Sequence, residues 1–169
     1  MTDRAGLRIR PARPGEAAAL SELALRSKAH WGYDAEFLER VRPLLTFQER
    51  DLLGAGVRVL ASAHGAVGVY RVSGTPPAGE LEDLWLEPEL IGQGWGRRLL
   101  EDALALAAEL GFSSLVIEAE PHAEGFYARL GATEVGERRS PSGRTLKLLE
   151  LRTAQRPGRA GEAAASPPA

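Results

Sequence analysis

Three glycines alternate at Gly92, Gly94 and Gly96, between an apolar run ending at Leu86 and a helical pattern beginning at Gly96. Glycines placed this way let a backbone approach something bulky and present its N–H groups. A helix follows at once, so the free amides of its first turn and its positive dipole end are aimed at the same spot. That arrangement suits a phosphate or pyrophosphate. The feature therefore demands a strand, a tight loop and a helix in sequence.

The flanking pattern fills in the rest. Residues 7–11 alternate apolar and polar as a first strand. Residues 16–28 place Leu20, Leu23, Ala24 and Ser27 on one helical face, and a break at 30–33 precedes a second helix. Asp34 is its expected N-cap, with Phe37, Leu38, Val41, Leu44 and Leu45 as its buried stripe. Residues 57–63 and 66–72 read as a hairpin around His64 and Gly65. A loop is expected at 74–79 and a fourth strand at 80–86. Leu99, Ala103, Leu106 and Leu110 repeat at helical spacing over 96–110. A buried strand follows at 115–119, a short helix at 121–130, and two strands at 133–137 and 145–151. This order predicts an α/β fold in which a central mixed β-sheet of about seven strands is flanked by about four helices.

The chain has 169 residues, 44% of them hydrophobic, with a net charge of −2 and no cysteine. It is long enough for one domain, assigned to residues 1–152. Residues 153–169 contain no Leu, Ile, Val or aromatic side chain and are expected to form a disordered tail. Nothing in the charge balance points to nucleic acid, and no apolar run reaches membrane-spanning length. The opening residues carry no signal-peptide core, so the cytoplasm is expected. The absent cysteine excludes a thiol nucleophile and cysteine–zinc sites, and no metal is expected.

Two nucleotide-binding loops fit poorly. A P-loop ends in Gly-Lys-Ser/Thr, whereas this loop ends in Gly96-Arg97-Arg98. A dinucleotide fingerprint separates its last two glycines by two residues and opens the fold, whereas here one residue separates them in mid-chain. A second segment chooses another ligand. Ile91-Gly92-Gln93-Gly94-Trp95-Gly96, followed later by Ala123-x-x-Phe126-Tyr127-x-x-x-Gly131, resembles the two hallmark segments of the GNAT superfamily of N-acetyltransferases, and the order of elements agrees over residues 7–151.

The resemblance implies acetyl-CoA as cosubstrate and a primary amine of a small molecule or peptide as acceptor. It also implies two parallel strands that splay into a V around the pantetheine arm. On that basis Leu84, Trp85 and Leu86 contact pantetheine, while Ile91, Gly92, Gln93, Gly94, Trp95, Gly96 and Arg97 hold the pyrophosphate. Tyr127 lies near the thioester sulfur. Two positions depart from the family pattern. Ile91 stands where Arg or Gln is usual, and Glu120 stands where Asn often contacts pantetheine; Glu120 can accept a hydrogen bond there but not donate one. A monomer or homodimer is expected.

Acetyl transfer to an amine needs a base for the ammonium proton and a proton for the departing thiolate. Without cysteine, direct attack in a ternary complex is the expected route. Tyr127 is the candidate acid, because a phenol is protonated at neutral pH. Glu82 is the first candidate base, then Asp83, then Glu118. By alternation, Glu82 is expected on the same strand face as Leu84 and Leu86, with Asp83 and Trp85 on the other. His30, Trp31 and Tyr33 are assigned with Asp83 to the acceptor site, where aromatic faces can hold a cation. The competing expectation is a catalytically silent acyl-CoA-binding domain with a regulatory role.

Overall fold

The computed structural model describes residues 6–153. A seven-stranded mixed sheet has the order β1-β2-β3-β4-β5-β7-β6. Its strands are β1 (Arg8–Pro11), β2 (Val57–Ser62), β3 (Gly65–Thr75), β4 (Ala78–Leu86), β5 (Ser114–Ala119), β6 (Thr133–Arg139) and β7 (Thr145–Arg152). Four α-helices accompany it: α1 (Ala17–Ala29), α2 (Ala35–Val41), α3 (Trp95–Glu109) and α4 (Glu124–Arg129). Short 3-10 turns extend α2 and precede β2. Asp34 caps α2 as expected, accepting the Phe37 N–H at 2.8 Å.

The core lies on both faces of the sheet. On one face Val57, Val59 and Val69 pack with Leu20, Leu23 and Phe37 of α1 and α2. On the other, Leu60, Tyr70, Leu81 and Ile117 pack with Leu99, Leu100 and Ala103 of α3. The strict alternation of Val57, Val59 and Leu60 between the two clusters is the period of a strand covered on both sides.

Four expectations about the elements need correction, the first being Leu44, expected in the buried stripe of α2 but 45% exposed in the 3-10 turn that follows it. The loop expected at 74–79 is nearly absent, because β3 runs to Thr75 and β4 starts at Ala78, with only Pro76-Pro77 between them. Proline needs no amide partner, so the pair fits a tight turn without costing the ladder a bond. Residues 121–123 form a turn ahead of α4 and are not part of that helix. Thr153, read as the first tail residue, is buried: its N–H donates to Ser113 C=O at 3.0 Å and its hydroxyl to Phe112 C=O at 2.7 Å. The rest of the expected tail, 154–169, lies outside the described residues.

The sheet's one parallel pair among the described strands is β4 with β5. Their ladder covers only Ala78–Leu81 against Ser114–Ile117. Beyond Leu81 and Ile117 the strands part, while β4 keeps its pairing with β3 as far as Leu86. Two of the four β4 residues that join the strands at the base of this cleft, Ala78 and Gly79, belong to the segment expected as loop.

Candidate functional site

Register fixes which atoms face the cleft. Glu87 N–H donates to Val67 C=O of β3 at 2.9 Å. Backbone groups alternate along an antiparallel pair, so the N–H and C=O groups of Leu84 and Leu86 point away from β3, into the cleft. Leu86 N–H meets Ser27 Oγ of α1 at 3.3 Å.

A bulge in β4 sets the side chains. Arg71 of β3 pairs with Asp83, yet the next residue, Val72, pairs with Leu81, so Glu82 is an extra residue. The alternation therefore changes phase at Glu82. Leu81, Leu84 and Leu86 all pack with the α3 cluster, and Trp85 packs with the α1–α2 cluster. The expectation that Glu82 shares a face with Leu84 and Leu86 fails for this reason. One guanidinium reaches both acids: Arg71 Nε lies 2.9 Å from Glu82 Oε2 and donates to Asp83 Oδ2 at 2.8 Å. Glu82 also accepts from the Ser73 hydroxyl, and Asp83 from Trp85 Nε1 at 2.8 Å. Burial raises the Asp83 carboxyl above its ordinary value, against the pull of Arg71.

A cavity of about 390 Å³ occupies the mouth of the cleft. Leu84, Trp85, Leu86, Ile91, Gly92, Gly94, Gly96, Arg97 and Tyr127 line it, with Trp31, His122, Phe126 and Arg129. Gly92 and Gly94 adopt φ of 82° and 87°, which an L side chain rarely takes, and a Cβ at either meets nothing within 4 Å. The loop thus has left-handed turns with open space before them. Gly94 is the N-cap of α3 without any side-chain cap, and the first backbone bond of the helix runs from Arg98 N–H to Gly94 C=O at 3.2 Å. The amides ahead of Arg98 have the free donors of a helix start. This donor set fits a pyrophosphate.

Gln93 and Trp95 do not border the cavity, and Arg97 borders it while paired along α3. Gln93 is exposed, and its amide folds back onto Glu89 C=O at 2.6 Å. Trp95 is buried in the α3 cluster, with the Arg98 guanidinium 4.9 Å from its ring centre. Arg97 pairs with Glu101 at 2.8 Å. Arg129 was not anticipated; as the last residue of α4 it borders the cleft as a second cation.

The Tyr127 hydroxyl has no protein hydrogen-bond partner among the described residues. Burial raises its pKa, with a smaller push from Asp83. Its ring meets Phe126 edge-on at 5.0 Å. Across the mouth, Trp31 stacks on His122 at 4.2 Å, and His30 meets Trp31 edge-on at 5.0 Å.

A second cavity of about 270 Å³ adjoins the first, sharing Trp85 as a wall. Glu80, Glu82, Asp83, Glu118 and Glu120 line it with Lys28 and Arg144. Glu120 borders this cavity and not the first, and Tyr33 donates to it at 2.8 Å. Burial alone would raise the Glu120 carboxyl, but hydrogen bonds from Arg144, Lys28 and Tyr33 outweigh it and hold it at about 2. Burial lowers the Lys28 ammonium, partly offset by Glu120. Lys28 and Arg144 were missed in the sequence. A signal existed for Lys28: it extends the buried stripe of Leu20, Leu23, Ala24 and Ser27, where a charge needs a partner.

No group of three His, Asp or Glu side chains placed to hold a metal occurs among the described residues. No helix there is long and apolar enough to cross a membrane.

A splayed parallel pair with a glycine loop and helix start at its mouth defines the candidate site. Residues 20–132 match the acetyltransferase (GNAT) family, and the chain belongs to it. Its fold is similar to that of the PaiA N-acetyltransferase from Thermoplasma acidophilum, solved in complex with coenzyme A (TM-score 0.71, 16% identity, 86% of this chain and 98% of that one). It is also similar to the ribosomal-protein-S18-alanine N-acetyltransferase from Escherichia coli (TM-score 0.66, 18% identity, 93% and 97%). A GCN5-related N-acetyltransferase from Rhodopseudomonas palustris gives a TM-score of 0.70 at 19% identity, over 86% and 94%. No curated protein sequence matches the chain.

Proposed function

We propose that this protein transfers an acetyl group from acetyl-CoA to a primary amine by direct attack in a ternary complex. One observation carries the reading: the β4–β5 ladder stops at Leu81 and Ile117, and the opening holds the glycine loop and Tyr127 in one cavity. Pantetheine lies along the backbone of Leu84 to Leu86. The pyrophosphate rests on the Gly94 side of the loop and the start of α3, because the Ile91 and Gln93 N–H groups already donate to Pro88 and Leu90 C=O at 3.2 and 3.4 Å. Ile91 contributes apolar contact only, so Arg97 and Arg129 supply the side-chain charge.

The amine nitrogen attacks the thioester carbonyl, the carbon–sulfur bond breaks, and the thiolate leaves. Tyr127, protonated because burial raises its phenol, donates to the sulfur. Glu82 takes the amine proton, directly or through water, from the second cavity. Its side chain is 36% exposed, whereas Asp83 is at 4% and held by Arg71 and Trp85. Alignment of the two bound reactants supplies much of the remaining acceleration. The acids of the second cavity favour a cationic acceptor, and we assign Glu120 and Tyr33 to that side. Trp85 stands between the two cavities, and Trp31 walls the first.

The silent acyl-CoA-binding reading is favoured by the Arg71 pairing of both strand acids. Release of the CoA thiol over a panel of amines separates the two, and a chain with no cysteine adds no thiol background. Transfer predicts release with at least one amine, and a kcat lowered about 100-fold in Tyr127→Phe with CoA affinity kept. Tight acetyl-CoA binding with no release for any amine would overturn it.

A further inference from the structure

Glu120 is surrounded by donors from its own chain. Lys28 Nζ lies 2.5 Å from Oε1, Tyr33 donates to Oε2 at 2.8 Å, and Arg144 Nη2 donates to the two oxygens at 2.7 and 2.9 Å. The two cations are held very differently. Lys28 belongs to α1 and its side chain is only 5% exposed. Arg144 comes from the turn joining β6 to β7, at the open edge of the sheet, and its side chain is 31% exposed.

The Arg144 guanidinium lies 5.4 Å from the Tyr33 ring centre and 4.9 Å from that of Phe37. Those rings stack on each other at 4.7 Å. Its remaining N–H groups reach the Tyr33 hydroxyl and Ser142 Oγ, both at 3.4 Å. A carboxylate, a phenol hydroxyl and two aromatic rings form a receptor for an organic cation. Lys28 already balances the charge of Glu120, so Arg144 is the surplus ion. It sits at a cavity whose other ionisable walls, Glu80, Glu82, Asp83 and Glu118, are acidic, four carboxylates against the two arginines that pair with them, Arg71 and Arg138.

We propose that Arg144 is a placeholder, and that the Glu120–Tyr33–Phe37 receptor binds the second cationic group of a small dicationic amine, which displaces it. Calling that ligand the acceptor rests on the acetyl-transfer reading; the binding itself does not. Displacement leaves the charge count at Glu120 unchanged, since one cation replaces another. It costs the incoming ligand the Arg144 contacts, so the free protein discriminates against weak cations. A monoamine can place its one cation in the receptor or at the reacting centre, but not at both, so it lacks the second point of attachment.

Calorimetric titration without acetyl-CoA tests this, using 1-amino-4-guanidinobutane as the dicationic probe and butylamine as the monocation. Arg144→Ala is expected to bind the probe about tenfold or more tightly than the unsubstituted protein, with a smaller gain for butylamine, which has one cation only. Adding Glu120→Gln should remove the gain. Arg144→Gln, which keeps a polar side chain at the turn, should move affinity in the same direction and guards against a folding defect in the alanine variant. Unchanged or weaker probe binding in both Arg144 variants would overturn the proposal. Thiol release with the same probe is read separately. Release without a binding gain refutes the placeholder alone, and a gain without release for any amine refutes acetyl transfer alone.

Discussion

Substituting Gly94 by alanine separates strain from ligand contact. Gly94 has φ 87° and ψ −2°, and a Cβ there meets nothing within 4 Å. Gly15, in the turn after β1, is its natural control, with φ 90° and the same open surroundings. Alanine at either position carries left-handed backbone strain of about 1–2 kcal/mol and no clash. For a domain of this size that is a loss of about 2–8 °C in Tm, and it should be similar for both variants. They should part in affinity for CoA. The space before Gly94 is where the pyrophosphate is proposed to approach the backbone, and a methyl group there forces it off at least one amide. A hydrogen bond to a charged group contributes about 1.5–3 kcal/mol, so Kd should rise about 10- to 150-fold. Thermal unfolding gives the first quantity and calorimetry with CoA the second. If Gly94→Ala binds CoA within about twofold of Gly15→Ala, the loop is not the cradle.

Two further outcomes follow from burial and charge. The Glu120 carboxyl is lowered from 4.5 to about 2, so its contacts contribute fully above pH 4.5 and are lost as pH falls toward 2. The contribution is at most about 3 kcal/mol, and urea unfolding from pH 5 to 2.5 should lose less stability in Glu120→Gln than in the unsubstituted protein; equal losses would contradict it. Leu99→Ala removes a fully buried side chain from the α3–sheet interface and should cost about 2–5 kcal/mol in the same assay, a value below 1 kcal/mol meaning that the helix re-packs.

The order of elements along the chain and the principal helix were legible because they rest on local periodicity and on glycines whose backbone role is local. Leu99, Ala103 and Leu106 announce α3, and the expected start at Gly96 falls one residue from the observed Trp95. The faces of β4 were not legible. Alternation is a safe rule only while the ladder is regular, and the extra residue at Glu82 is set by pairing with β3, a partner the sequence does not reveal. The extension of β3 and β4 past Gly74 was hidden by Pro76-Pro77, which mark a turn but not its length. Arg144 was invisible for a third reason: it lies 24 residues from Glu120, in a turn whose sequence, Ser140-Pro141-Ser142-Gly143, looks like plain solvent-facing chain.

The parting of β4 from β5 has a consequence for how the protein behaves among other chains. A strand with unpaired N–H and C=O groups is ordinarily a template for aggregation. Here such an edge exists inside the molecule, along residues 82–86, in addition to those of the outer strands β1 and β6. Ser27 covers one amide, and Trp31 stacked on His122 partly roofs the opening. A guest one strand wide, with few side groups, can lie along this edge, whereas a second polypeptide strand with bulky side chains meets the walls. The protein thereby holds a strand-pairing surface inside its fold, set back from neighbouring chains.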